Sequence, residues 1–217
     1  ISIFNGGIKM NNAWLVRPYP HDNPRINEFR QSNIVAIGWP GIGDLTGKSR
    51  EDIKQILSAS PYNLSGLALG NAYATIDIFV NRMNLGDIVL VPDGADIFFA
   101  EICSDYYMDS KFDSAQIGYS HQRKVKWLQS VARDELSKSL RSSLKVHRAT
   151  ADLSKHYDEI AALSHGADFE DKSAEVETLN VSYPLRSDFT VNFEIPIDIT
   201  KDEAKRLAQH LETLYYA

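Results

Sequence analysis

Residues 83–89 read Met-Asn-Leu-Gly-Asp-Ile-Val, and this MNLGDIV stretch decides how the chain around it is interpreted. Apolar residues at helical spacing lead into it: Ala72, Ile76, Phe79, Val80 and Met83. Turn-forming residues occupy 84–87, and the apolar run 88–91 has the length of a buried strand. Residues 92–94 (PDG) mark a hairpin turn before a return strand over 97–103. The stretch therefore predicts a helix followed by an antiparallel hairpin.

The sequence on either side of this stretch completes a mixed α+β pattern. Strands are predicted over 13–17 and 34–37, with a helix opened by Pro24 between them and another helix over 49–58. Residues 121–128 (HQRKVKWL) predict a strand with alternating faces. One face carries Arg123, Val125 and Trp127, and the other carries Lys124, Lys126 and Leu128. Helices are predicted over 134–144 and 150–163.

The C-terminal part has a different composition. Residues 166–178 are an acidic, polar linker, and 189–195 (FTVNFEI) predict a strand. Thr200 and Glu203 form a capping box that opens a helix through Tyr215. We expect its apolar stripe, Leu207, Leu211 and Leu214, to pack on the main domain or on a second copy, with 189–195 as an added strand. The predicted organisation is leader residues 1–9, an α+β domain over 10–165, and a linker with a strand–helix appendage over 166–217.

The net charge of −6 is unevenly distributed. Residues 167–217 contain 11 Asp and Glu against 5 Lys and Arg, whereas residues 1–166 contain 18 of each kind. Within 121–148, eight Lys and Arg are opposed only by Asp134 and Glu135. The overall acidity therefore does not exclude a phosphate-binding face in the first part of the chain, and a solvated basic helix is the alternative.

Several classes of protein are excluded or disfavoured. No apolar run approaches the roughly 18 to 20 residues that span a bilayer, and the N-terminus lacks the pattern of a signal peptide. The single cysteine, Cys103, excludes an internal disulfide, so we predict a cytoplasmic protein without a membrane partner. No catalytic, cofactor-binding or metal-binding motif is present, so we expect a non-enzyme without cofactor or metal. An acidic group of the kind found in nucleases is only weakly indicated, by Asp93, Asp96 and Glu101.

The order of these elements resembles the EVE and YTH domains of the PUA-like fold over residues 12–145. The resemblance rests on five segments: 14–16, 34–39, 83–89, 100–102 with 105–106, and 121–128. It implies a twisted, barrel-like sheet with flanking helices, and a pocket in which aromatic side chains hold a flipped, modified base. In YTH domains one such aromatic follows the second strand, where this chain has Trp39. Another precedes the late strand, where this chain has Tyr119 instead of tryptophan.

Related EVE-like domains stand at the front of modification-dependent restriction systems. The resemblance therefore implies a sensor of restriction or phage defence, with DNA favoured over RNA as the partner.

A modified base has a flat π-face and a polar edge, so its reader needs aromatic plates with a few directed donors and acceptors. Trp39 lies between glycine-containing turns, and core packing is its alternative role. Asp44 could accept a hydrogen bond from an exocyclic amine of the base. Its alternative role is to cap the turn. The predicted base pocket contains six residues: Trp39, Tyr119, Asp44, His121, Tyr106 and Asn12. The predicted contacts to the nucleic-acid backbone are Arg17, Arg123, Lys124 and Lys126.

Three functions are compatible with the sequence. The leading one is a non-catalytic module that recognises a flipped modified base. The second is a protein-interaction or regulatory protein that binds an effector, or itself, through residues 189–216. The third is a PUA-like RNA- or ligand-binding domain without specificity for modification. A concave pocket walled by Trp39 and Tyr119 would favour the first, and a solid core at that place would favour the second.

Overall fold

The computed structural model describes residues 12–169 and 178–213. These residues form two compact units, a first unit over 12–169 and a second unit over 178–213. The predictions on residues 1–9, and those on Leu214 and Tyr215, lie outside the described residues.

The first unit is built on one curled, half-barrel sheet of seven strands. These are β1 Ala13–Val16, β2 Ile34–Ile37, β3 Ile88–Asp93, β4 Asp96–Ile102, β5 Tyr107–Met108, β6 His121–Ala132 and β7 Thr150–Asp152. Their order is β2-β6-β4-β3-β1-β7, and β5 also pairs with β6. All pairs are antiparallel except β1 with β3. The predicted α+β class, with a barrel-like sheet and flanking helices, is confirmed.

Five α-helices belong to this unit: α1 Ile26–Ser32, α2 Arg50–Ser58, α3 Gly66–Asp77, α4 Lys138–Ser143 and α5 Tyr157–Ser164. A π-helical turn, Ile78–Arg82, follows α3 directly. Short 3₁₀ turns occupy Pro20–Asp22, Ser110–Phe112, Arg133–Glu135 and Ser154–His156. Helix α2 begins at the Ser49–Asp52 capping box, in which each residue's side chain bonds the other's backbone N–H.

The MNLGDIV stretch links β3 to the beginning of β1 through the carboxylate of Asp87, which is fully buried. Its Oδ2 accepts from Trp14 Nε1 at 2.7 Å and from the backbone N–H of Asn84 at 2.9 Å. Its Oδ1 accepts from the backbone N–H of Asn12 at 3.0 Å. A buried carboxylate requires such donors, so Asp87 fixes the parallel pairing of β1 with β3.

Because successive side chains of a strand point to opposite faces of the sheet, the first unit has a hydrophobic core on each face. The sheet face with Trp14 and Val16 packs with α2 and α3, and the face with Ala13 and Leu15 packs with α4 and α5. The predicted alternation of β6 is observed, because Arg123 and Val125 are buried whereas Lys124 and Lys126 are exposed. The helix predicted over 150–163 begins only at residue 157. Residues 150–152 instead form β7 beside β1, because Thr150 is buried and its hydroxyl donates to the carbonyl of Thr75.

The second unit consists of an antiparallel hairpin and a helix. Its elements are β8 Thr178–Arg186, β9 Phe189–Pro196 and α6 Lys201–Thr213. The strand predicted over 189–195 is present, and so is the Thr200–Glu203 capping box. The neighbour of β9 is β8, with which it forms a two-stranded sheet. Leu207 and Leu211 are exposed in the single chain, and their packing on the main domain or on a second copy stays a prediction.

No helix in the described ranges has the length and apolar character needed to cross a membrane.

Candidate functional site

Strand β2 ends in a tight turn, Trp39-Pro40-Gly41, which we call the β2 turn. Trp39 and Gly41 have φ angles of 71° and 81°. A non-glycine residue in this region costs on the order of 1 kcal/mol, so it persists where the surroundings fix it. The Trp39 side chain is half-buried and packs against the core that contains α2 and α3.

Three side chains from three other segments hold the backbone of the β2 turn. His121 Nε2 lies 3.2 Å from the carbonyl oxygen of Trp39. The Tyr62 hydroxyl donates to the carbonyl of Pro40 at 2.8 Å. The backbone N–H of Gly41 donates to Asp113 Oδ1, also at 2.8 Å. Every residue of the turn is therefore fixed by a long-range hydrogen bond.

The state of His121 follows from its partners. A carbonyl oxygen only accepts, so Nε2 carries the proton and donates to Trp39. Nδ1 then accepts from the Tyr106 hydroxyl at 2.8 Å, and the Tyr106 oxygen accepts from the backbone N–H of Leu45 at 3.2 Å. Burial lowers the pKa of His121 below its usual value and raises the pKa of Tyr106 to about 12. Both side chains are therefore neutral at pH 7.

Asp44 lies beside this network. Its Oδ1 accepts from the backbone N–H and the hydroxyl of Thr46 at 3.0 and 2.8 Å. These hydrogen bonds lower the pKa of Asp44. The negative charge of Asp44 in turn contributes to the raised pKa of Tyr106. The turn-capping role that was its alternative is thus observed. Four residues of the predicted pocket lie together: Trp39, Asp44, Tyr106 and His121.

A cleft of about 310 Å³ opens beside the β2 turn, and we call it the turn cleft. It is lined by His21, Pro40, Gly41, Pro61, Tyr62, Asp113, Ser114 and Ala115. The His21 ring lies against the backbone of Gly118, where a Cβ would come within 2.5 Å of His21 Cδ2. Gly118 also has a φ of 69°, so glycine is required there for two reasons.

Asp113 supplies a carboxylate to the turn cleft. Its Oδ1 accepts from the backbone of Gly41 and from the hydroxyl of Ser120 at 3.0 Å. Among the described residues, Oδ2 has no hydrogen-bond partner and can accept from a ligand. Burial, with the nearby charge of Asp113, raises the pKa of Tyr62 to about 12. The cleft thus offers two aromatic rings and a carboxylate oxygen, a set that fits a flat heterocycle bearing a donor.

Tyr119 is not available as a wall of this cleft. Its side chain is 6% exposed, and its ring stacks on Phe112 at 4.7 Å and meets Phe29 edge-on at 5.7 Å. The Arg25 guanidinium lies over the same ring at 5.5 Å. The predicted pocket between Trp39 and Tyr119 is therefore wrong, because neighbours from α1 and the 105–120 loop enclose the tyrosine.

Asn12 also lies elsewhere. It precedes β1, which β6, β4 and β3 separate from β2 in the sheet, and its backbone N–H donates to Asp87. The structure therefore does not place it with the other predicted pocket residues.

Two of the arginines predicted to contact phosphate instead donate hydrogen bonds to backbone carbonyls of the protein. Arg123 is 2% exposed, and its guanidinium donates to the carbonyls of Phe79, Val80 and Ser104 at 2.7, 2.9 and 3.1 Å. Arg17 donates to the carbonyls of Leu144 and Val146. The predictions for these arginines are corrected, because π-helical and loop carbonyls occupy their donors. Lys124 and Lys126 are exposed, as a phosphate contact requires.

A second cleft, of about 400 Å³, is lined by Arg82, Arg148 and Lys155, none of which was among the four named contacts to the nucleic-acid backbone, and we call it the basic cleft. Its charged lining residues are Asp77, Arg82, Arg148, Asp152 and Lys155. Arg82 pairs with Asp152 at 2.6 Å, and Asp77 accepts from Tyr73 and Asn81. Arg148 and Lys155 are exposed and have no acidic partner among the described residues.

Sequence reasoning missed His21, Tyr62 and Asp113, which line the turn cleft. A local signal existed for two of them, since both follow turn-forming residues: His21 follows Pro20, and Tyr62 follows Pro61. Asp113 lies in the loop between β5 and β6, which is rich in polar and aromatic residues. The sequence alone does not reveal that side chains 22, 72 and 82 residues away converge on one turn.

The family model described as Domain of unknown function (DUF8426) matches residues 14–152, well over half of the chain. One similar solved structure is the YTH domain of the Zygosaccharomyces rouxii MRB1 protein in complex with N6-methyladenosine RNA. It has 13% identity and a TM-score of 0.40, and the match covers 77% of this chain and 95% of that one. Another is a crystal structure of an Agrobacterium tumefaciens protein, with 12% identity, a TM-score of 0.34, and coverage of 74% and 97%.

No curated protein matches the sequence. The family description names neither EVE nor YTH, so that resemblance stays a prediction. The match over 14–152 spans all seven strands of the first unit, from Trp14 in β1 to Asp152 in β7. The chain therefore belongs to the DUF8426 family.

Proposed function

We propose that the first unit is a non-catalytic nucleic-acid-binding module that accepts a modified base in the turn cleft. The observation that carries this proposal is the composition of the cleft, in which the His21 and Tyr62 rings stand beside the free oxygen of Asp113. Ring faces stack on any base, and the carboxylate selects an edge that carries an amine. The volume of about 310 Å³ is at the small end of ligand sites and fits a single base.

Trp39, Asp44, Tyr106 and His121 act in this proposal mainly as positioning residues. His121 holds the carbonyl of Trp39, Tyr106 holds His121, and Asp44 lies beside Tyr106. The Trp39 ring is half-buried, so its remaining surface is the part that could contact a base. Binding of a base then needs little rearrangement, which favours affinity.

We propose that the phosphates of the nucleic acid contact exposed Lys and Arg side chains. Lys124 and Lys126 lie on the solvent side of β6, and Arg148 and Lys155 lie in the basic cleft without acidic partners among the described residues. Each phosphate contact that is removed should reduce the slope of log affinity against log salt by about 0.9 for duplex DNA. The Arg148→Gln/Lys155→Gln double variant should therefore lower the slope by nearly 2, whereas Lys201→Gln in α6 should not change it.

The test of the base site is a binding panel. Fluorescence anisotropy would compare short oligonucleotides that carry one methylated or hydroxymethylated base with unmodified controls, in DNA and RNA forms. DNA is the expected form, as the resemblance to EVE domains of restriction proteins implies. Tyr62→Ala should weaken binding of the preferred oligonucleotide by about 1–3 kcal/mol. Tyr183→Ala in the exposed hairpin of the second unit is the matched control. Equal binding by the two variants would remove the turn cleft from consideration.

Asp113→Asn gives a sharper test of edge recognition. Asparagine keeps the Oδ1 acceptor for Gly41 but replaces the free oxygen with an amide donor. Bases that present an amine should lose affinity, and bases that present a carbonyl should gain it. Asp109→Asn is the control, because Asp109 accepts from Lys111 in the same loop without lining the cleft. An unchanged ranking of bases in Asp113→Asn would contradict the assigned role of the carboxylate.

A further inference from the structure

A further polar cleft lies at the other end of β2 from the turn cleft, and we call it the amide cleft. It has a volume of about 480 Å³ and is lined by Asn27, Arg30, Gln31, Asn33 and Trp127. Asn27, Arg30 and Gln31 follow the i, i+3, i+4 spacing of a helix, so they share one face of α1. Asn33 immediately precedes β2, and Trp127 lies in β6, the strand that pairs with β2.

The amide groups of this cleft are not used by the protein itself. Within residues 12–169 and 178–213, the side chains of Asn27, Gln31 and Asn33 make no hydrogen bond. By contrast, the side-chain amides of Asn23 and Gln122 bond carbonyl and hydroxyl groups of the protein. An amide presents a donor and an acceptor side by side in one plane. Three free amides therefore fit a ligand whose edge also carries donors beside acceptors.

A guanidinium and an indole ring supply flat surfaces in the same cleft. The Arg30 guanidinium lies 4.7 Å over the centre of the Phe98 ring, and Phe98 meets Trp127 edge-on at 6.4 Å. In the described part of the chain the Arg30 side chain has no ion pair, so stacking fixes its plane while its donors stay free. Trp127 is half-buried and keeps part of its ring surface accessible. Aromatic rings and guanidinium planes are the surfaces on which proteins stack unpaired bases.

We infer that the amide cleft is a second base site, which holds an unpaired adenine of the same strand whose modified base enters the turn cleft. This inference rests on the proposed function of the first unit, and it names the substrate class as single-stranded nucleic acid. The amide of Asn or Gln bonds adenine through two hydrogen bonds, one donated and one accepted. In a duplex the faces of a base are covered by its stacked neighbours, so only an unpaired base can lie on Trp127 or Arg30.

The length of β2 sets the distance between the two base sites. Asn33 lines the amide cleft and Pro40 lines the turn cleft, with β2 between them. At about 3.3 Å per residue of extended chain, the Cα atoms of Asn33 and Pro40 are about 20 Å apart. A small domain that binds single strands covers about 4–16 nucleotides, so one strand can reach both clefts. The adenine is therefore a separate position of the strand, with a few nucleotides between it and the modified base.

Fluorescence anisotropy with unmodified DNA tests the amide cleft without the base that the turn cleft prefers. The probes are single strands of about 12 thymidines, with or without one central adenine. The full chain should prefer the adenine strand by about 5- to 150-fold, the discrimination of one bidentate pair, and should lose this preference when the strand is hybridised to its complement. Asn27→Ala/Gln31→Ala should abolish the preference. Gln55→Ala/Asn71→Ala, which removes the same two side-chain types from exposed positions of α2 and α3, should keep it. All four positions are exposed on helices, where alanine is well tolerated, so both variants should fold.

Tryptophan fluorescence supplies the independent readout. The three tryptophans are Trp14, which is 2% exposed, Trp39 and Trp127, so Trp39→Phe leaves Trp127 as the accessible one. The adenine strand should quench the emission of Trp39→Phe, and it should not quench Trp39→Phe/Trp127→Phe.

Equal binding of the two single strands by the full chain, or an adenine preference that survives in Asn27→Ala/Gln31→Ala, would overturn the inference. Failure of the Tyr62→Ala test would remove the turn cleft but would leave the adenine preference unchanged, so the two proposals fail separately.

Discussion

Replacing Arg123 with methionine separates an interior role from a nucleic-acid contact at this position. Methionine fills much of the same space but donates no hydrogen bonds, so the carbonyls of Phe79, Val80 and Ser104 lose their partner. Each hydrogen bond from a charged donor contributes about 1.5–3 kcal/mol, so the three together are worth roughly 5–9 kcal/mol. Keeping a guanidinium buried costs several kcal/mol, which offsets part of this sum.

The expected net loss for Arg123→Met is therefore about 3–5 kcal/mol of unfolding free energy. Urea unfolding followed by tryptophan fluorescence measures it. With a slope of roughly 2 kcal/mol per molar urea, the midpoint should fall by about 2 M. Lys124→Met is the matched control, because Lys124 is the next residue of the same strand and points to solvent. Its stability should stay within about 0.5 kcal/mol of the unmodified protein.

The reasoning would be refuted by an Arg123→Met protein that is as stable as the control but has lost its affinity for nucleic acid. That outcome would mean that the guanidinium reaches solvent and contacts phosphate. Equal stability with unchanged binding would also contradict this structural role of Arg123, because the buried carbonyls of Phe79 and Val80 cannot lose a cationic partner without cost.

Three further predictions concern the network around the β2 turn and the MNLGDIV stretch. The pKa of His121 lies below 6.5 in the folded state, so the unfolded state binds more protons between these two values. Stability should fall as pH drops from about 6.5, by up to about 1.4 kcal/mol per unit, and His121→Gln should lack this slope in urea unfolding at pH 7 and 5.5. Asp87→Ala should lose about 3 kcal/mol or more by the same assay, since three donors, one of them the buried indole N–H of Trp14, lose their acceptor. Gly118→Ala should displace His21 and weaken oligonucleotide binding while the distant Gly70→Ala does not; unchanged binding would argue against a role for the His21 ring.

The elements that local periodicity encodes were predictable from the sequence. The alternation of β6, the capping boxes at Ser49 and Thr200, and the hairpin after MNLGDIV are local patterns, and each is present. Strand β7 was not predictable in this way, because residues 150–163 keep a helical spacing of apolar residues. Pairing with β1 decides its conformation, and that neighbour lies more than 130 residues away.

The roles of polar and aromatic side chains were harder to predict, although one signal was overlooked. The alternation placed Arg123 on the same face as Val125, and a cation on a buried face needs backbone partners. The prediction that Arg123 contacts phosphate did not take its position on this buried face into account. Tyr119 follows a glycine in a polar loop, a pattern shared by exposed and enclosed aromatics. Its burial depends on Phe29, an α1 residue 90 positions earlier, and no local pattern reveals that contact.

The turn cleft owes its shape to a balance between local strain and long-range hydrogen bonds. The left-handed conformation of Trp39 costs on the order of 1 kcal/mol. The bonds from His121, Tyr62 and Asp113 each contribute about 1 kcal/mol, so together they outweigh this cost. Because two of the three residues that supply these bonds, Tyr62 and Asp113, also line the cleft, the hydrogen bonds that fix the turn also shape the cleft. A ligand would then meet rings that are already oriented, and stacking would not be reduced by the entropy of ordering a loop.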